Sequence, residues 1–368
     1  MKSGVLFIQN RPHRAGAQTC LARLLEESAI RSFNPLVLCS QQGWLTEECD
    51  QLNIPYIIEP FPSSRSLRAR FYGNKAFAAR VKQRIDSVGY QLQMVFANDH
   101  WEGLLGLAIG KLTSSKKVIL LRSPGMTEDH YGKYGCHQYD CVATIGDELH
   151  RRVQEWAPDH HIEKVYDGIR SCEFLSPKPR ATERPSRVLV IGSALDWKGW
   201  ADLTEAARIL QKETECNWEY DFTGDEPDRN KNDVHLDRLH PGTCSFLGRQ
   251  EAFVELVRRY DLVINPSRQE TFGMAAVEVL AAGVPLLSTK TGVMGHVQSD
   301  SSMLVPPAQP RDMAEAIGYI WKNWETVNFN VSDCQSQIRK RFMTDSMANR
   351  WVEIFHKYGM QCAKGTDL

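Results

Sequence analysis

Residues 262–292 read LVINPSRQETFGMAAVEVLAAGVPLLSTKTG, and no other stretch of the chain carries as much information about its fold and function. The apolar run Leu262–Ile264 predicts a buried strand, which Pro266 ends. The next apolar segment predicts a helix from about Phe272 to Ala282, with Gly283 in the left-handed conformation that stops it. A further apolar run predicts the next strand. The order strand, loop, helix, strand is typical of parallel sheets covered by helices.

Two carboxylates belong to this region, one inside the predicted helix and one in the loop before it. Glu278 is the charged residue of an otherwise apolar helix, so we expect it to be buried and paired or hydrogen-bonded. Glu270 precedes the helix N-terminus, where backbone N–H groups favour an anionic ligand. A nucleotide sugar fits this arrangement. Its diphosphate would bind the N–H groups near Phe272, Gly273 and Met274, its ribose hydroxyls would donate to Glu278, and its hexose hydroxyls would donate to Glu270.

The residues around the two glutamates make the pair specific. With Pro266, Ser267 and Phe272 in place, the stretch resembles the signature of glycosyltransferase family 4, retaining enzymes of GT-B fold. The resemblance implies an α/β GT-B architecture, in which two Rossmann-like domains have parallel sheets that face each other across a cleft. It spans most of the chain and is strong from Arg187 to Pro307. Without the surrounding residues, two glutamates at this spacing would be helix-end charges with structural partners.

Length and the order of apolar runs favour two domains. A chain of 368 residues is longer than most chains with a single hydrophobic core. Short apolar runs alternate with helix-length segments throughout. We expect an N-terminal acceptor-binding domain at 1–170, a proline-rich linker at 171–186 and a C-terminal donor domain at 187–334. The resemblance implies that a last helix, within 335–368, packs back on the first domain. The predicted strands are Val5–Gln9, Pro35–Leu38, Tyr56–Glu59, Met94–Ala97, Lys117–Leu121, Cys141–Ile145, Arg187–Ile191, Glu219–Thr223, Cys244–Leu247, Asp261–Asn265 and Val284–Ser288.

Composition excludes several classes of protein. Ten cysteines without a C-x-x-C pair or a His/Cys cluster indicate reduced thiols and argue against a structural zinc site. Met1–Asn10 leads directly into the first predicted strand, so we expect no signal peptide, and no apolar run reaches the length of a transmembrane helix. We therefore expect a cytoplasmic protein. No G-x-G-x-x-G follows a predicted strand, which disfavours a dinucleotide dehydrogenase.

A second donor loop follows the first predicted strand of the second half. It begins with Gly192 and Ser193 and contains Lys198, and ligands of such sheets bind outside the carboxyl ends of the strands. A lysine there can neutralise a departing diphosphate, although taken alone it would be a solvated surface lysine. The loop resembles the family's Gly-Arg-Leu…Lys-Gly segment, with Ser193 where the family has arginine. Either Arg268 or Arg249 supplies the missing cation, or the donor is held less tightly.

Two further loops resemble the nucleobase side of the family. Gly224 lies in one and lets the backbone approach a nucleotide, and Arg249 lies in the other. Asp225 and Glu226 either contact the nucleotide or cap a helix. Neither loop distinguishes UDP from GDP. The donor-binding residues that the resemblance implies are Gly16, Gly192, Ser193, Lys198, Gly224, Arg249, Thr271, Phe272, Gly273, Met274 and Glu278.

The first half carries the candidate acceptor side. Gly16 lies at the first strand-to-helix turn, where the family places two glycines, and Ala15 takes the other position. Gln18 in the same turn is a candidate acceptor contact or a plain helix residue. Near the end of this half, Asp167 stands where the family's Pro-Asn-Gly-Val hinge has asparagine.

Two loops of the first half correspond to segments in which the family has histidines, one of them over the transferred sugar. Here Asn98 and Arg122 take those positions, and Arg122 becomes a candidate acceptor contact. Asp99 or His100 could hydrogen-bond the sugar or accept the proton of the acceptor. The alternative is that His100 and Trp101 begin a helix and pack.

Residues 61–85 carry seven positive charges and no acidic residue, interleaved with apolar side chains. Such a segment suits an anionic membrane surface or a lipid-linked phosphate acceptor, and its alternative is a solvated helix face. Nucleic acid is not expected, because no recognised binding fold accompanies the charges. The basic residues are Arg65, Arg68, Arg70, Lys75, Arg80, Lys82 and Arg84.

Taken together, the sequence predicts a retaining glycosyltransferase that moves a sugar from a UDP- or GDP-sugar to a hydroxyl of a glycan, glycolipid or other acceptor. Bacterial-type surface polysaccharide or glycolipid biosynthesis is the expected setting, in the cytoplasm or at the inner face of the plasma membrane. The catalytic candidates are Glu270, Lys198, His100 and Asp99, and no metal or cofactor is expected because no Asp-x-Asp element is present. Two alternatives stay open: a non-catalytic GT-B partner subunit and a GT-B hydrolase or epimerase.

Overall fold

The structure is a computed structural model that describes residues 1–62, 67–179, 181–213, 216–227, 244–298, 300 and 302–362, except the side chains of 67–72. It divides into two compact units. The first unit comprises Met1–Gly168 and Thr344–Leu368, and the second comprises Ile169–Met343.

Strands and helices alternate through both units. The strands are β1 (Lys2–Gln9), β2 (Pro35–Cys39), β3 (Tyr56–Ile58), β4 (Tyr90–Ala97), β5 (Lys116–Leu121), β6 (Cys141–Thr144), β7 (Ile162–Lys164), β8 (Arg187–Val190), β9 (Glu219–Phe222), β10 (Cys244–Phe246), β11 (Val263–Asn265), β12 (Leu286–Thr289) and β13 (Leu304–Val305). The helices are α1 (Gly16–Glu26), α2 (Ser28–Arg31), α3 (Trp44–Gln51), α4 (Leu67–Ser87), α5 (Gly103–Thr113), α6 (Glu128–Lys133), α7 (Asp147–Trp156), α8 (Trp200–Glu213), α9 (Phe253–Val257), α10 (Met274–Ala281), α11 (Met294–Val297), α12 (Pro310–Lys322), α13 (Val331–Arg341) and α14 (Thr344–Lys357).

The first unit is built on a seven-stranded parallel sheet in the order β3-β2-β1-β4-β5-β6-β7. All five residues of β2 are buried, as expected for a strand covered on both faces. On one face, the rings of Phe7 and Phe96 are 4.9 Å apart and Trp351 of α14 is 4.7 Å from Phe96. The chain leaves β1 toward β2 and returns as β4 on the other side of β1. Strand order therefore reverses between β1 and β4.

The second unit has a six-stranded parallel sheet in the order β10-β9-β8-β11-β12-β13. Its core joins Trp200 and Leu203 of α8 to Phe222 of β9 and Ile317 of α12, all buried. Here the strand order reverses between β8 and β11. In open α/β sheets, ligands bind in the crevice outside the carboxyl ends of the strands at such a switch point.

Two parallel-sheet α/β units confirm the predicted fold class, and all eleven predicted strands are present. The largest boundary difference is at β4, which begins at Tyr90 rather than Met94. The sequence did not predict β7 and β13, which have three and two residues. A segment this short shows no periodicity, so nothing distinguishes it from a loop.

Helix boundaries needed more correction. Helix α10 is shorter than predicted, while Gly283 has the expected positive φ of 79°. The predicted last helix is two helices, α13 in the second unit and α14 in the first, because the chain turns extended at Met343 and forms a β-bridge with Ile169. The predicted linker lies in the second unit, where the N–H groups of Leu175 and Lys178 donate to the carbonyls of Ala281 and Gly283 at 2.9 and 2.7 Å.

Candidate functional site

The switch point of the second sheet brings together the two strongest candidates from the sequence. Lys198 follows β8 and Glu270 follows β11, and these strands are neighbours in the sheet although the two residues are 72 positions apart in the chain. Parallel strands place their carboxyl ends at one edge, so both loops lie at the edge where ligands of such sheets bind.

Backbone contacts lock these two loops to each other. The carbonyl of Trp197 accepts hydrogen bonds from the N–H groups of Arg268 at 2.8 Å and Gln269 at 3.2 Å. Gly199 has a φ of 68°, and a Cβ on it would overlap the carbonyl oxygen of Pro266, so glycine is required there. The loop that carries Lys198 is therefore held in place against the loop that carries Glu270.

Lys198 and Glu270 form an ion pair. The distance between Lys198 Nζ and Glu270 Oε1 is 2.6 Å, and the side chains are 23% and 15% exposed. The Ser267 hydroxyl lies 2.9 Å from the same Oε1 and can donate to it. The structure records no hydrogen bond from the described residues to Oε2. The Glu270 carboxylate is thus largely buried, and Lys198 and Ser267 hold its Oε1. Its Oε2 can accept a hydrogen bond from a hydroxyl.

The N-terminus of α10 lies beside this pair. Gly273 precedes the helix with a φ of 89°, and the N–H groups of Gly273 and Ala275 make no hydrogen bond to the described part of the chain. The Thr271 hydroxyl is buried and has no hydrogen-bond partner among the described residues. The two N–H groups are free as in the first turn of any helix, whereas a buried hydroxyl such as that of Thr271 normally has a partner. Together the three donors suit a ligand with acceptor oxygens.

Glu278 departs from its expected burial. The predicted burial inside an apolar helix is wrong, because Met274, Ala275 and Glu278 share one partly exposed face of α10. The other face of α10 packs into the core, and its Val277 and Leu280 are fully buried. The carboxylate thus lies on the same face as the first turn of the helix, on the open side.

Of the two arginines considered as replacements for the missing family cation, Arg268 is engaged elsewhere. Its guanidinium binds Asp202 with two contacts of 2.7 Å and Asp196 with one of 2.7 Å. Arg249 is exposed, and its role as the replacement cation at the donor stays a prediction. In the neighbouring loop, Gly224 packs closely against the backbone that follows β8. Residues 228–243 lie outside the described part, so a helix capped by Asp225 or Glu226 is untested.

The first unit uses the predicted acceptor residue Arg122 internally. Its guanidinium contacts the Asp167 carboxylate at 2.9 and 2.7 Å and donates to Asn98 Oδ1 at 3.2 Å, and it is 8% exposed. Asn98 in turn donates to Gln9 Oε1 at 2.6 Å. These contacts occupy the guanidinium within the protein, and the prediction that Arg122 contacts the acceptor stays a prediction. The three departures from the family pattern, at Asn98, Arg122 and Asp167, form one network.

Asp99 and His100 also contact each other rather than an open surface. Asp99 Oδ1 lies 2.8 Å from His100 Nδ1, and Oδ2 accepts the Ser123 hydroxyl at 2.9 Å. Burial raises the pKa of Asp99, but the hydrogen bonds from His100 and from the Arg122 backbone outweigh it and leave that pKa below its usual range. The His100 side chain is 2% exposed and the Asp99 side chain is 15% exposed, and the catalytic roles considered for them stay predictions. Trp101 is 59% exposed and is the member of this loop that reaches solvent.

The strand-to-helix turn after β1 holds two candidate residues, Gly16 and Gln18, and both stay predictions. A Cβ on Gly16 would meet nothing within 4 Å, so packing does not require glycine there. Gln18 is buried, and its amide donates to the Arg11 carbonyl at 2.8 Å. Its Oε1 has no partner in the described chain and stays a candidate contact for a ligand hydroxyl.

Sequence reasoning missed Glu102, which is buried beside the same loops. Its Oε1 accepts the N–H of Asn10 at 3.1 Å, and its Oε2 has no hydrogen-bond partner among the described residues. Burial, helped by the nearby charge of Asp99, raises the pKa of Glu102 to about 8. The available signal was a glutamate directly before an apolar helix, which by itself is common in protein sequences.

We expect Glu102→Gln to change the pH dependence of stability. A carboxyl with a raised pKa binds its proton more tightly in the folded protein, so its contribution is present at low pH and is lost as pH rises from about 4.5 through about 8. Glutamine stays neutral at every pH. The unfolding free energy of the variant, relative to that of the natural protein, should therefore be higher at about pH 8 than at about pH 5 by about 2–4 kcal/mol. Urea denaturation at both pH values measures this, and an identical pH dependence of the two proteins would contradict it.

Carboxylates of the protein balance part of the charge in the described part of the basic segment. Arg80 and Arg84 contact the carboxylate of Glu59 at 2.6 and 2.9 Å, and Lys82 contacts Asp86 at 2.6 Å. Arg65 and the side chains of Arg68 and Arg70 lie outside the described residues. The described residues also contain no helix both long and apolar enough to cross a membrane and no cluster of three or more His, Cys, Asp or Glu suited to a metal ion.

Part of the chain is similar in sequence to known proteins. Residues 185–323 match the family model of Glycosyl transferases group 1. The chain is similar to N-acetyl-alpha-D-glucosaminyl L-malate synthase of Bacillus anthracis, with 23% identity over 237 residues that cover 61% of each protein. It is also similar to D-inositol 3-phosphate glycosyltransferase of Corynebacterium urealyticum, with 26% identity over 107 residues, 28% of this chain and 25% of that protein. The chain thus spans less than two thirds of the length of these relatives.

Solved structures extend the likeness over the whole fold. HepE of Anabaena, in complex with UDP and glucose, superposes with a TM-score of 0.76 at 17% identity and covers 96% of this chain and 99% of its own. The apo form of the lipopolysaccharide outer core galactosyltransferase WaaB gives a TM-score of 0.70 at 17% identity, with 96% and 99% covered. At these identities the likeness shows a common fold.

Proposed function

We propose that this chain, a GT-B protein that resembles glycosyltransferase family 4, is a retaining glycosyltransferase that moves a sugar from a UDP- or GDP-sugar to an acceptor hydroxyl. The observation that carries the proposal is the ion pair of Lys198 and Glu270 at the switch point of the second sheet, 2.6 Å apart. A cation, a carboxylate and a helix N-terminus at the carboxyl ends of β8 and β11 suit a diphosphate joined to a polyol.

Each donor residue has a role that follows from its contacts. The three N–H donors of Lys198 allow it to keep Glu270 and to bind a phosphate oxygen as well. The N–H groups of Gly273 and Ala275 and the Thr271 hydroxyl would bind further phosphate oxygens. Glu270, held by Ser267, would accept hydroxyls of the transferred sugar, and Glu278 would accept the ribose hydroxyls.

The proposed transfer breaks the bond between the anomeric carbon and the diphosphate oxygen, and the departing diphosphate keeps the electron pair. Lys198 stabilises that growing charge, which is where a preorganised cation contributes most. The acceptor oxygen bonds the anomeric carbon on the same face, and its proton passes to an oxygen of the departing phosphate. No residue is assigned as nucleophile, because Glu270 is held here as a group that positions the sugar. No metal takes part in the proposed step.

The acceptor is a hydroxyl of a glycan, glycolipid or similar molecule in this proposal. The names of WaaB and of the Bacillus anthracis synthase support surface glycans and small hydroxyl acceptors as classes to test, and HepE in complex with UDP supports uridine donors. Trp101, exposed at the end of β4, offers a flat apolar surface on which a sugar ring could pack. Arg122 and His100 are buried, and Asp99 is 15% exposed and hydrogen-bonded to the side chains of His100 and Ser123.

A panel of UDP- and GDP-sugars tests the function. The natural protein should release nucleoside diphosphate from at least one donor, slowly without acceptor and faster with a suitable one. Proton NMR of the sugar product should show the anomeric configuration of the donor. Inverted products would contradict the retaining mechanism. Donor binding without release under any condition would favour a non-catalytic partner subunit, and release that no acceptor accelerates would favour a hydrolase.

A further inference from the structure

A group of aromatic rings lies at the carboxyl edge of the first sheet. Trp101 follows β4, and the segment after β5 carries His130 at the middle of α6 and Tyr134 directly after that helix. The ring centre of Trp101 is 4.4 Å from that of His100 and 5.3 Å from that of Tyr134, and the His130 ring stacks on that of His100 at 6.0 Å. We call Trp101, His130 and Tyr134 the Trp101 platform. Ligands of parallel sheets bind at this edge.

Trp101 is open to solvent, while His100 and Tyr134 beside it are buried. The exposed fraction of Trp101 is 59%. His100 lies close to one side of the indole, with the two ring planes 37° apart, so much of the exposed area is on the other side. A large flat ring that has one supported side and one open side is a surface on which another flat or apolar face can pack.

The two loops that carry the platform are held to each other. Asp99, two residues before Trp101, accepts the N–H of Arg122 at 3.3 Å and the hydroxyl of Ser123 at 2.9 Å. Gly103 lies so close to the carbonyl of Tyr134 that a Cβ on it would be 2.6 Å from that oxygen. The rings are therefore fixed before any ligand binds, and a rigid aromatic side chain loses little entropy on binding.

The polar groups of the platform narrow the class of ligand. Lys133 Nζ already lies 5.7 Å from the ring centre of Tyr134, which disfavours a cation, the other common occupant of aromatic clusters. The imidazole of His130 makes no hydrogen bond to the described residues, although its Nδ1 is buried. Buried polar atoms normally have a partner. His130 is therefore the side chain of the platform that is best placed to hydrogen-bond a neutral ligand.

We propose that the Trp101 platform binds one pyranose ring of the acceptor, which makes the acceptor a glycan or another glycoside. One side of a pyranose ring presents C–H groups that can pack on the indole, and its hydroxyls lie around the edge, within reach of a group such as the His130 imidazole. A hydroxy acid or glycerol has no such apolar side. The inference rests on the proposed transferase function and chooses between the sugar acceptors and the small hydroxyl acceptors that it left open.

Transfer kinetics with two panels of acceptors test this inference. One panel contains methyl hexopyranosides and disaccharides, and the other contains hydroxy acids and glycerol. At least one glycoside should be used with a kcat/KM at least about tenfold above that of every compound in the second panel. Trp101→Ala should raise KM for that glycoside at least about tenfold, with a smaller effect on kcat and less than about a threefold change in KM for the donor.

Three further variants make this test specific. Trp101→Phe keeps a flat ring and should recover most of the lost affinity for the glycoside. His130→Ala removes a single hydrogen-bonding group and should raise the same KM by about three- to tenfold. Tyr319→Ala removes a ring that is 48% exposed on α12 of the second unit and should leave that KM unchanged. Unchanged thermal midpoints would show that all these variants fold.

Saturation-transfer NMR with the same glycosides measures binding without transfer. The C–H protons of one side of the pyranose ring should receive the strongest saturation, and the effect should be lost in Trp101→Ala. Binding that depends on Trp101 but leads to no transfer with any donor would contradict the transferase function and leave the platform as a sugar site.

Three results would overturn the platform itself and leave the transferase function in place. These are transfer that prefers a hydroxy acid or glycerol, equal KM for the glycoside in Trp101→Ala and the natural protein, and the absence of binding by every glycoside in the panel.

Discussion

Glu270→Gln should lower kcat by about 100- to 1,000-fold while the protein stays folded and binds donor nucleotide. Glutamine keeps the shape of the side chain and loses its charge, so both the contact with Lys198 at 2.6 Å and the charge-assisted hydrogen bonds to sugar hydroxyls weaken. Loss of one preorganised electrostatic contact in an active site has an effect of this order. Initial rates of nucleotide release and transfer, measured across donor concentrations, give kcat and KM separately.

Glu278→Gln is the matched control for this prediction. The substitution is the same and lies on the open face of α10, where the proposal gives Glu278 the ribose hydroxyls. It should raise KM for the donor about tenfold and leave kcat within about threefold, because the ribose contact is the same in the ground state and the transition state. If both variants keep natural turnover and donor affinity, the assignment of the two glutamates is wrong.

Lys198→Met should have an effect of similar size on kcat and should weaken diphosphate binding as well. Methionine keeps most of the length and apolar volume of lysine but cannot stabilise the charge that grows on the departing phosphate. It also leaves the Glu270 carboxylate, 15% exposed, without its cation. The dissociation constant of the nucleoside diphosphate, from isothermal titration, and kcat together separate binding from departure.

Two further variants make the Lys198 prediction specific. Lys212→Met removes an exposed lysine at the far end of α8 and should change neither quantity. In the double variant Lys198→Met/Glu270→Gln, the losses should be less than additive, because the two side chains contact each other. Fully additive losses would show that the pair observed at 2.6 Å does not act together in catalysis.

Much of this fold could be predicted from residues 262–292 and from the short apolar runs that alternate with helix-length segments in the rest of the chain. A buried parallel strand has a short apolar sequence, and a helix that ends in a positive φ favours glycine. Both the strands and the helix end at Gly283 could therefore be recognised in the sequence. The resemblance to glycosyltransferase family 4 that rested on this stretch is confirmed by the family match at residues 185–323. The sequence also placed Lys198 and Glu270 on loops after parallel strands, but their contact depends on β8 and β11 being neighbours, which only the structure shows.

Other features depend on contacts that no local pattern encodes. The buried pair of Arg122 and Asp167 joins residues 45 positions apart, and only the structure shows that it uses the side chain proposed for the acceptor. Glu278 is half-buried because α10 packs through one face, which the uniform apolar sequence of the helix did not reveal.

The central claim is that the second unit holds a nucleotide-sugar site built on Lys198 and Glu270, and ligand-dependent thermal unfolding tests it most directly. UDP, GDP and a set of their sugars would be added to the natural protein and to Lys198→Met. At least one ligand should raise the midpoint of the natural protein by about 5–10 °C at about 100 times its Kd, and that shift should shrink strongly in the variant. If no nucleotide of the set raises the midpoint, or if the shift is equal in both proteins, the claim is contradicted.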